Sequence, residues 1–409
     1  MLLRNLKTMI TGNKVLHKFF SMFFYLDWNL RKAFKYKFID RNVLINHKAG
    51  YSYQEYGTGD RVLVKPPLHC EPSIPKEMKK FFNKTVYFPP SFYNVIEDTF
   101  LIGPNAVGID ASNNIISDTD SRSISVLDKC SPKLFMYPRK IKTDIHLDCA
   151  AVFLSPWINA FRQNYYHWIT ECLFSLEAID SYSNVHGISP KILINSNPTR
   201  YQIDSLKLLG YTDRDYIQWN FDKAGVQKLI RPSRRQLHVE GIDVSYPSAI
   251  NWFREKLSTN MTNGNYDFSQ NILVSRQHSY GRKILNYDKV MSLLERYDFV
   301  SYTLEELRFE DQVNLFSRAK NVIGAHGAGM INMIFCNHAN IIELFGAPPK
   351  HYHMYYLIAN ILRLRYVCMF VKHSFDNYNE TNKAHSWKEH DLIIDTVKLD
   401  KVLQKCLND

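Results

Sequence analysis

The chain has 409 residues, of which 45% are hydrophobic and 22% charged, the balance of a folded globular protein with a sizeable core. That length exceeds one ordinary domain and predicts two. A formal net charge of +11 and a pI near 9.1 indicate an anionic partner, such as nucleic acid, anionic lipid or a phosphorylated substrate. The seven cysteines are scattered, odd in number and without a Cys-x-x-Cys, which favours reduced thiols over a disulfide framework or a zinc site.

The N-terminal segment mixes aromatic and basic residues in "HKFFSMFFYLDWNLRKAFKYKF", residues 17–38. Its uncharged run from Phe19 to Leu26 is too short to span a bilayer, and no small-residue cleavage site follows it. Aromatic rings between cationic side chains are typical of a helix lying on an anionic membrane. A helix docked on the protein's own surface explains the same pattern.

The first half of the chain changes character near residue 150. Residues 86–118 predict short strands joined by Asn, Asp and Gly turns. From residue 151 onward strands and helices alternate, with a helix from about Asn164, a strand "KILINS", a helix "RYQIDSLKLLG" and a strand "DYIQW". The polar stretch 260–271 lacks periodicity and predicts a linker between two α/β domains.

The second half alternates more regularly. Strands are predicted for "NILVSRQ", "FVSYTLEEL", "NVIGAHGAG" and "NIIELFG", and helices for "NYDKVMSLLERY", "EDQVNLFSRA" and "MINMIFC". Strands that alternate with helices of about ten residues indicate βαβ units and a parallel sheet. The glycine-rich loop therefore follows a strand, at the edge where open α/β sheets bind ligands.

A histidine and a glutamate share one face of the helix predicted for "FRQNYYHWITECLFSLEAI". Asn164, His167 and Glu171 stand at i, i+3 and i+7, while Ile169 and Leu173 point toward the core. A carboxylate four residues after a histidine can orient the ring and raise its basicity, as a general base requires. The same spacing also fits a structural polar pair, or two ligands of a metal site whose third ligand is not indicated.

A basic loop follows the first strand of the second half, in "SRQHSYGRKIL". Arg276, Arg282 and Lys283 lie there with a glycine between them. Arginines beside a glycine-rich loop can neutralise a diphosphate without a metal ion, although a solvated basic loop has the same composition. Nucleic acid is disfavoured as the partner, because the basic residues form no stripe with stacking aromatics.

The glycine-rich loop itself reads "VIGAHGAGMINMIF", with Gly324, Gly327 and Gly329 around His326. This is neither the dinucleotide fingerprint Gly-x-Gly-x-x-Gly nor a P-loop, which argues against a nicotinamide-dependent oxidoreductase. Glycines nevertheless let backbone N–H groups approach an anion, and a helix from about Met330 would direct its positive end to the same place. A tight strand-to-helix turn without a ligand is the alternative interpretation.

Taken together, these motifs resemble glycosyltransferase family 61. The resemblance covers about 150–365 and is most specific in 271–346. It rests on "NYYHW" at 164–168, "SRQHSYGRKILN" at 275–286, "GAHGAG" at 324–329 and "IIELF" at 341–345. Two departures concern packing and turn shape: no Leu-Pro follows "NYYHW", and "FCNHAN" replaces the family's usual Pro-Pro-Gly turn.

The resemblance implies a GT-B-like α/β fold, with two Rossmann-like domains facing a cleft and a β-rich N-terminal elaboration. The expected divisions are 1–45 as a basic aromatic segment, 46–262 as the acceptor-side domain, 263–370 as the nucleotide-sugar-binding domain and 371–409 as a C-terminal tail. The implied reaction is an inverting sugar transfer from a nucleotide-diphosphate sugar to a glycan or glycolipid hydroxyl. No cofactor or obligatory metal is expected, and "DTD" at 118–120 lies away from the implied donor site.

The donor-binding residues that the resemblance implies are Arg276, Arg282, His326, Gly327, Ala328, Gly329 and Glu343. The loop N–H groups and His326 would bind the diphosphate, the two arginines would neutralise the leaving nucleotide, and Glu343 would accept from ribose hydroxyls. On the acceptor side, His167 is the expected base and Glu171 its partner. The expected acceptor contacts are Asn164, Tyr165, Tyr166 and Trp168.

Several further expectations remain open at this stage. A non-catalytic carbohydrate-binding or scaffold protein derived from such an enzyme is the second hypothesis. Surface polysaccharide or glycoconjugate assembly is the expected process, in the cytoplasm and peripherally on the inner face of a membrane bound through residues 1–38. The sequons at Asn83, Asn260 and Asn379 matter only for a secretory chain.

Overall fold

A computed structural model describes residues 38–39, 51–116, 139–154, 157–159, 162–261, 267–346, 353–373 and 390–407. Nearly all of the predicted membrane-binding segment, the "DTD" at 118–120 and part of the predicted linker lie outside the described residues. In the part of the chain that the structure covers, no helix has the length and apolar character needed to cross a bilayer.

The strands of the first part of the chain are Phe38–Ile39 (β1), Tyr51–Tyr56 (β2), Asp60–Leu63 (β3), His69–Glu71 (β4), Thr85–Phe88 (β5), Ser91–Ile102 (β6), Val107–Ile109 (β7), Ile115–Ile116 (β8), Ile145–Val152 (β9), Ile158–Asn159 (β10), Arg162–Gln163 (β11), Lys191–Asn195 (β12), Tyr216–Trp219 (β13), Lys223–Pro232 (β14), Gln236–Val239 (β15) and Ile242–Ser245 (β16). The remaining strands are Asn271–Val274 (β17), Phe299–Tyr302 (β18), Asn321–Ala325 (β19), Asn340–Phe345 (β20), Arg365–Phe370 (β21), Lys372–His373 (β22) and Leu392–Ile393 (β23).

The α-helices are Lys76–Lys79 (α1), Tyr165–His167 (α2), Leu176–His186 (α3), Arg200–Leu208 (α4), Pro247–Asn260 (α5), Tyr287–Leu294 (α6), Phe309–Arg318 (α7), Met354–Leu362 (α8) and Thr396–Leu407 (α9). A π-helix covers Trp168–Cys172, and 3₁₀ helices cover Leu173–Ser175, Glu295–Tyr297, Leu304–Glu306 and Ala328–Phe335. The strands and helices predicted for the second half of the chain are all present at these positions.

Among the described residues, the first sheet is mixed and has nine strands, in the order β1-β8-β7-β6-β14-β9-β12-β13 with β2 beside β6. Its parallel part, from β14 to β13, contains the predicted alternation of strands and helices. Ile192, Leu193 and Ile194 in β12 are at most 1% exposed, because helices and loops cover both faces of such a strand. The antiparallel strands β2, β6 and β7 form the β-rich region expected near residues 86–118.

The second sheet has six parallel strands in the order β18-β17-β19-β20-β21-β4. The chain leaves β17 toward β18 on one side and then continues with β19 on the other side. The strand order therefore reverses between β17 and β19, and the crevice outside the carboxyl ends at such a switch point is where open α/β sheets bind ligands. The basic loop, which contains Arg276 and Arg282, follows β17, and the glycine-rich loop around His326 follows β19.

Charged residues at the ends of a helix that packs on the second sheet favour helix formation there. In α7, Glu310 and Asp311 occupy the first turn and Arg318 the last, charges that stabilise the helix dipole. The segment expected as a C-terminal tail contains β23 and α9, whose Leu399 and Leu403 are buried in the apolar core on this sheet. A mixed α/β fold with parallel sheets is thus present, while the proposed domain boundaries stay predictions.

The expectation that the thiols are reduced is wrong for one pair. Cys70 in β4 and Cys368 in β21 form a disulfide, with Cα atoms 4.7 Å apart and a sequence separation of 298. They are register partners in neighbouring parallel strands. Because β4 crosses from the N-terminal region to the edge of the second sheet, their spacing in the sequence carried no sign of this contact. The other cysteines in the described ranges, Cys149, Cys172, Cys336 and Cys406, are buried thiols.

Candidate active site

The glycine loop connects β19 to a 3₁₀ helix that begins at Ala328, slightly before the predicted helix start at Met330. A Cβ at Gly327 would lie 2.5 Å from Arg276 Nη1, and one at Gly324 would collide with Met330 Sδ. Gly327 has an extended backbone with φ of 176°, so its backbone conformation does not require glycine. A side chain at this position would have to displace the Arg276 guanidinium, which packs directly against the loop.

Both predicted arginines reach this loop. The Arg276 Nε–H donates to the Gly281 carbonyl at 3.1 Å, and Arg282 Nη1 donates to the carbonyl of His326. Burial lowers the pKa of the Arg276 guanidinium, while Glu305 and Tyr355 act in the opposite direction. A partly buried cation held against a glycine loop favours an anionic ligand, since such a ligand would restore the interactions lost with water.

His326 is buried in a hydrogen-bonded chain with Glu343 and Tyr366. Its Nδ1 lies 2.5 Å from Glu343 Oε1, and the Tyr366 hydroxyl donates to Glu343 Oε2 at 2.5 Å. Glu343 is 0% exposed, so its carboxylate faces protein on all sides. We therefore correct the expectation that Glu343 presents its carboxylate to ribose hydroxyls: both oxygens accept from neighbouring side chains inside the core.

The second predicted pair, His167 and Glu171, is also formed. His167 Nδ1 lies 2.6 Å from Glu171 Oε1, and the two side chains are 23% and 18% exposed. Asn164 caps the helix by accepting from the His167 backbone N–H at 3.4 Å. The helix then continues as one π-helical turn, a form that often occurs at functional sites.

The aromatic residues around His167 do not occupy the acceptor positions expected for them. Trp168 is 0% exposed and its Nε1–H donates to Ser205 Oγ at 3.0 Å. Tyr166 is 8% exposed and its hydroxyl accepts from Gln236 at 3.2 Å. The sequence interpretation fails for these two residues because the helix turns both rings into the core, while Asn164, His167 and Glu171 keep exposed surface.

Tyr165 has a bridging position. Its hydroxyl donates to Asn332 Oδ1 at 2.5 Å, in the 3₁₀ helix that follows the glycine loop. Burial raises the pKa of the Tyr165 hydroxyl far above its usual value, so the group stays protonated and remains a donor. This contact joins the helix that carries His167 to the element that follows His326.

Two aromatic residues near the site were not identified from the sequence. Trp157 stacks on the His167 ring with centroids 5.1 Å apart and planes at 12°, and it is 45% exposed. Tyr355 donates to the Gly327 carbonyl at 2.7 Å. Neither residue stands in a motif, and only packing between distant segments brings them to the site.

Ring contacts connect the two histidines. His167 packs edge-on against Tyr166 at 5.3 Å, Tyr166 against Tyr355 at 6.1 Å, and Tyr355 against His326 at 5.4 Å. The two candidate groups therefore belong to one region between the first and second sheets. Within the described ranges, no group of three or more His, Cys, Asp or Glu side chains is arranged to hold a metal ion.

A parallel α/β sheet with a basic, glycine-lined crevice at its switch point is an arrangement that favours anionic ligands. The family model of Glycosyltransferase 61 matches residues 165–342, a span that includes His167, both arginines and the glycine loop. This match confirms the resemblance and supports a glycosyltransferase role in general terms. No curated protein matches the chain.

Proposed function

We propose that the protein transfers a sugar, with inversion, from a nucleotide-diphosphate sugar to a hydroxyl of a glycan or glycolipid. The observation that carries the proposal is the convergence of Arg276, Arg282 and the glycine loop at the switch point of a parallel sheet. A diphosphate is the leaving group that matches two guanidinium groups and a bare backbone.

On the donor side, the N–H groups of Gly327, Ala328 and Gly329 are the proposed cradle of the diphosphate. The two arginines supply the positive charge that a divalent ion supplies elsewhere, so the proposed reaction needs no obligatory metal. A GT-B arrangement, with the donor on the second sheet and the acceptor opposite, is part of the proposal. The contacts Tyr165–Asn332 and Tyr166–Tyr355 support it, because they place the two halves against each other.

On the acceptor side, His167 is the proposed general base. Its Nδ1 is engaged by Glu171, so Nε2 is the atom that takes the proton from the acceptor hydroxyl. As that proton leaves, the acceptor oxygen bonds to the anomeric carbon from the face opposite the diphosphate. The bond between the anomeric carbon and the diphosphate oxygen breaks, and its electron pair departs with the nucleotide. Trp157, stacked on His167 and partly exposed, is the proposed platform for the apolar face of an acceptor sugar.

The experiment that tests the proposal is a thermal-shift screen against nucleoside diphosphates and their sugars, followed by release assays with a panel of glycoside acceptors. A binding ligand stabilises the folded state in proportion to the logarithm of its concentration over its Kd. Stabilisation by one nucleotide series, followed by acceptor-dependent release of the diphosphate, supports the proposal. Binding of glycans without any release would favour the non-catalytic carbohydrate-binding alternative.

Localisation and membrane binding are separate proposals. Disulfides persist in oxidising compartments, so Cys70–Cys368 counts against the cytoplasmic expectation. Thiol alkylation of the protein in its own cells, with and without prior reduction, distinguishes an oxidising compartment from the cytoplasm. Association with an anionic surface through residues 1–38 is tested by co-sedimentation with anionic liposomes, which deletion of that segment should abolish and salt should weaken. A role in surface polysaccharide or glycoconjugate assembly is also part of the proposal, because the proposed acceptor is a glycan or glycolipid.

A further inference from the structure

Glu343 lies on β20, which neighbours β19 and is separated from β17 by that strand. Its side chain is enclosed by protein on all sides. A carboxylate removed from water is stabilised only by the hydrogen bonds it accepts, and here both oxygens accept one. Oε1 lies 2.5 Å from His326 Nδ1, and Oε2 accepts from the Tyr366 hydroxyl at 2.5 Å. The three side chains form one continuous chain that ends at the imidazole of the glycine loop.

We propose that Glu343, assisted by Tyr366, is a positioning residue that fixes the tautomer and orientation of the His326 imidazole for contact with the donor diphosphate. With Nδ1 committed to the carboxylate, a phosphate oxygen can be served only by Nε2. The inference rests on the proposed function, because it takes the glycine loop as the diphosphate site. It replaces the expectation that Glu343 binds ribose.

The surroundings of His326 support this role. The ring is stacked on Phe345 with centroids 5.2 Å apart and planes at 22°, and it lies 5.4 Å from the Tyr355 ring. Its backbone N–H donates to the Leu344 carbonyl at 2.9 Å. Three consecutive residues of β20 therefore hold His326: Glu343 binds Nδ1, Leu344 binds the backbone N–H, and Phe345 packs on the ring face. These contacts leave the imidazole little freedom to rotate.

Tyr366 is the outer member of the chain. Burial, followed by the Glu343 carboxylate, raises the pKa of the Tyr366 hydroxyl well above its usual value, so the group remains a donor. Its strand, β21, is bonded covalently to the edge strand β4, because Cys368 two residues later forms the disulfide with Cys70; Cys368 is also the register partner of Glu343. The support for Glu343 is thus rigid on the side away from the loop.

The first test measures binding of inorganic pyrophosphate, which carries no base or sugar. Tyr366→Phe removes one hydrogen bond to the carboxylate and should weaken binding about 2- to 10-fold, and Glu343→Gln about 10- to 100-fold. Tyr356→Phe is the matched control: this buried tyrosine packs 5.5 Å from the Tyr366 ring, but its hydroxyl donates to the Lys65 carbonyl. The control should bind pyrophosphate as the wild type does.

The second test reads the imidazole directly, by ¹⁵N–¹H correlation spectra of histidine-labelled protein. Wild type and Tyr356→Phe should show His326 protonated at Nδ1, with this proton strongly hydrogen-bonded. Tyr366→Phe should shift the signal, and Glu343→Gln should change the tautomer or broaden it. Rescue of the wild-type signal by Glu343→Asp is not expected, because the shorter side chain cannot reach both partners.

The outcomes separate the inference from the proposed function. If wild-type protein binds no pyrophosphate while the imidazole spectra respond as stated, the diphosphate site is wrong and Glu343 still positions His326. If pyrophosphate binds and His326→Ala weakens it, but neither Tyr366→Phe nor Glu343→Gln alters the spectra or the affinity, the positioning role is overturned. Should Glu343→Gln not fold, Tyr366→Phe alone decides.

Discussion

Two histidine–carboxylate pairs with almost equal hydrogen-bond lengths stand in opposite surroundings. His326 and Glu343 are 2.5 Å apart and 8% and 0% exposed, whereas His167 and Glu171 are 2.6 Å apart and 23% and 18% exposed. The first pair is closed by Tyr366, and the second lies under a partly exposed Trp157. The same histidine–carboxylate pair is therefore buried in the protein interior at His326 and partly open to solvent at His167.

These surroundings limit the chemistry that each imidazole can perform. A group that takes a proton from an incoming hydroxyl must be reachable by it and must be able to release that proton again. A group that only donates a hydrogen bond to a leaving phosphate works best when it is fixed in place and does not reorganise. In the proposed reaction, exposure and not the pairing itself is the reason for giving proton transfer to His167 and leaving-group contact to His326.

The largest expected effect removes the exposed imidazole. His167→Ala should lower kcat about 10²- to 10⁴-fold, the usual contribution of a general base, with donor affinity nearly unchanged. Initial rates of nucleotide release with a working acceptor give kcat, and calorimetry gives the donor Kd. Glu171→Gln should cost less and shift the acid limb of the pH–rate profile.

His186→Ala is the control for this variant, because His186 lies exposed at the far end of the same helical run. It should leave kcat unchanged. A larger loss in Glu171→Gln than in His167→Ala would make Glu171 the base, and near-wild-type kcat in both would make this helix structural.

The next effect concerns the Cys70–Cys368 disulfide, the covalent support on the His326 side. Cys70→Ala should lower the free energy of unfolding by about 2–5 kcal/mol, the usual cost of losing a native disulfide. Urea unfolding with and without reductant measures this. Reductant should destabilise the wild type by a similar amount and leave Cys70→Ala unaffected; equal stability of all four samples would show that the bond contributes nothing.

The arginines come third. Arg276→Ala or Arg282→Ala should weaken nucleotide-diphosphate binding by about 1.5–3 kcal/mol, the range for hydrogen bonds to charged groups. Nucleoside binding should change little, since the guanidinium groups are assigned to the phosphates. Arg296→Ala is the control. Arg296 lies in the 3₁₀ helix after α6 and pairs with Asp400 of α9 at 3.0 Å, so it belongs to neither the basic loop nor the glycine loop. Equal losses for nucleoside and diphosphate in calorimetry would refute the phosphate assignment.

A smaller effect is expected at the acceptor platform. Trp157→Ala should raise the acceptor KM about 2- to 10-fold, as expected for an aromatic contact of about 0.5–1.5 kcal/mol. The donor KM should not change, and Trp157→Phe should restore most of the acceptor affinity. Tyr87→Ala removes another exposed ring, 62% exposed, and serves as the control. An unchanged acceptor KM in Trp157→Ala would exclude the platform.

The smallest expected change is that caused by chelation. Activity should survive excess EDTA to within about twofold, because arginines and backbone N–H groups supply the positive charge at the leaving group. Rates with EDTA, and after adding back manganese or magnesium, measure this. A collapse that metal restores would return attention to His167 and Glu171 as ligands, or to the "DTD" at 118–120.

The secondary-structure elements and the pairs of nearby residues could be predicted from the sequence. Apolar periodicity placed the strands and helices of the second half, since alternation and helical spacing are properties of neighbouring residues. The pairing of His167 with Glu171 followed from residues four apart on one helix. The nearness of the arginines to the glycine loop followed from βαβ order, which brings the carboxyl ends of successive strands to one edge.

Which residues share the interior could not be predicted from the sequence and depends on the three-dimensional packing. The Cys70–Cys368 bond, the engagement of Glu343 by Tyr366, and Trp157 on the His167 ring each join segments whose separation follows no local period. The burial of Tyr166 and Trp168 likewise depends on which helix face meets the core. A sequence pattern reports the period and the turns of a segment, but which distant segments touch is set by strand order and by the packing of side chains into one close-packed core.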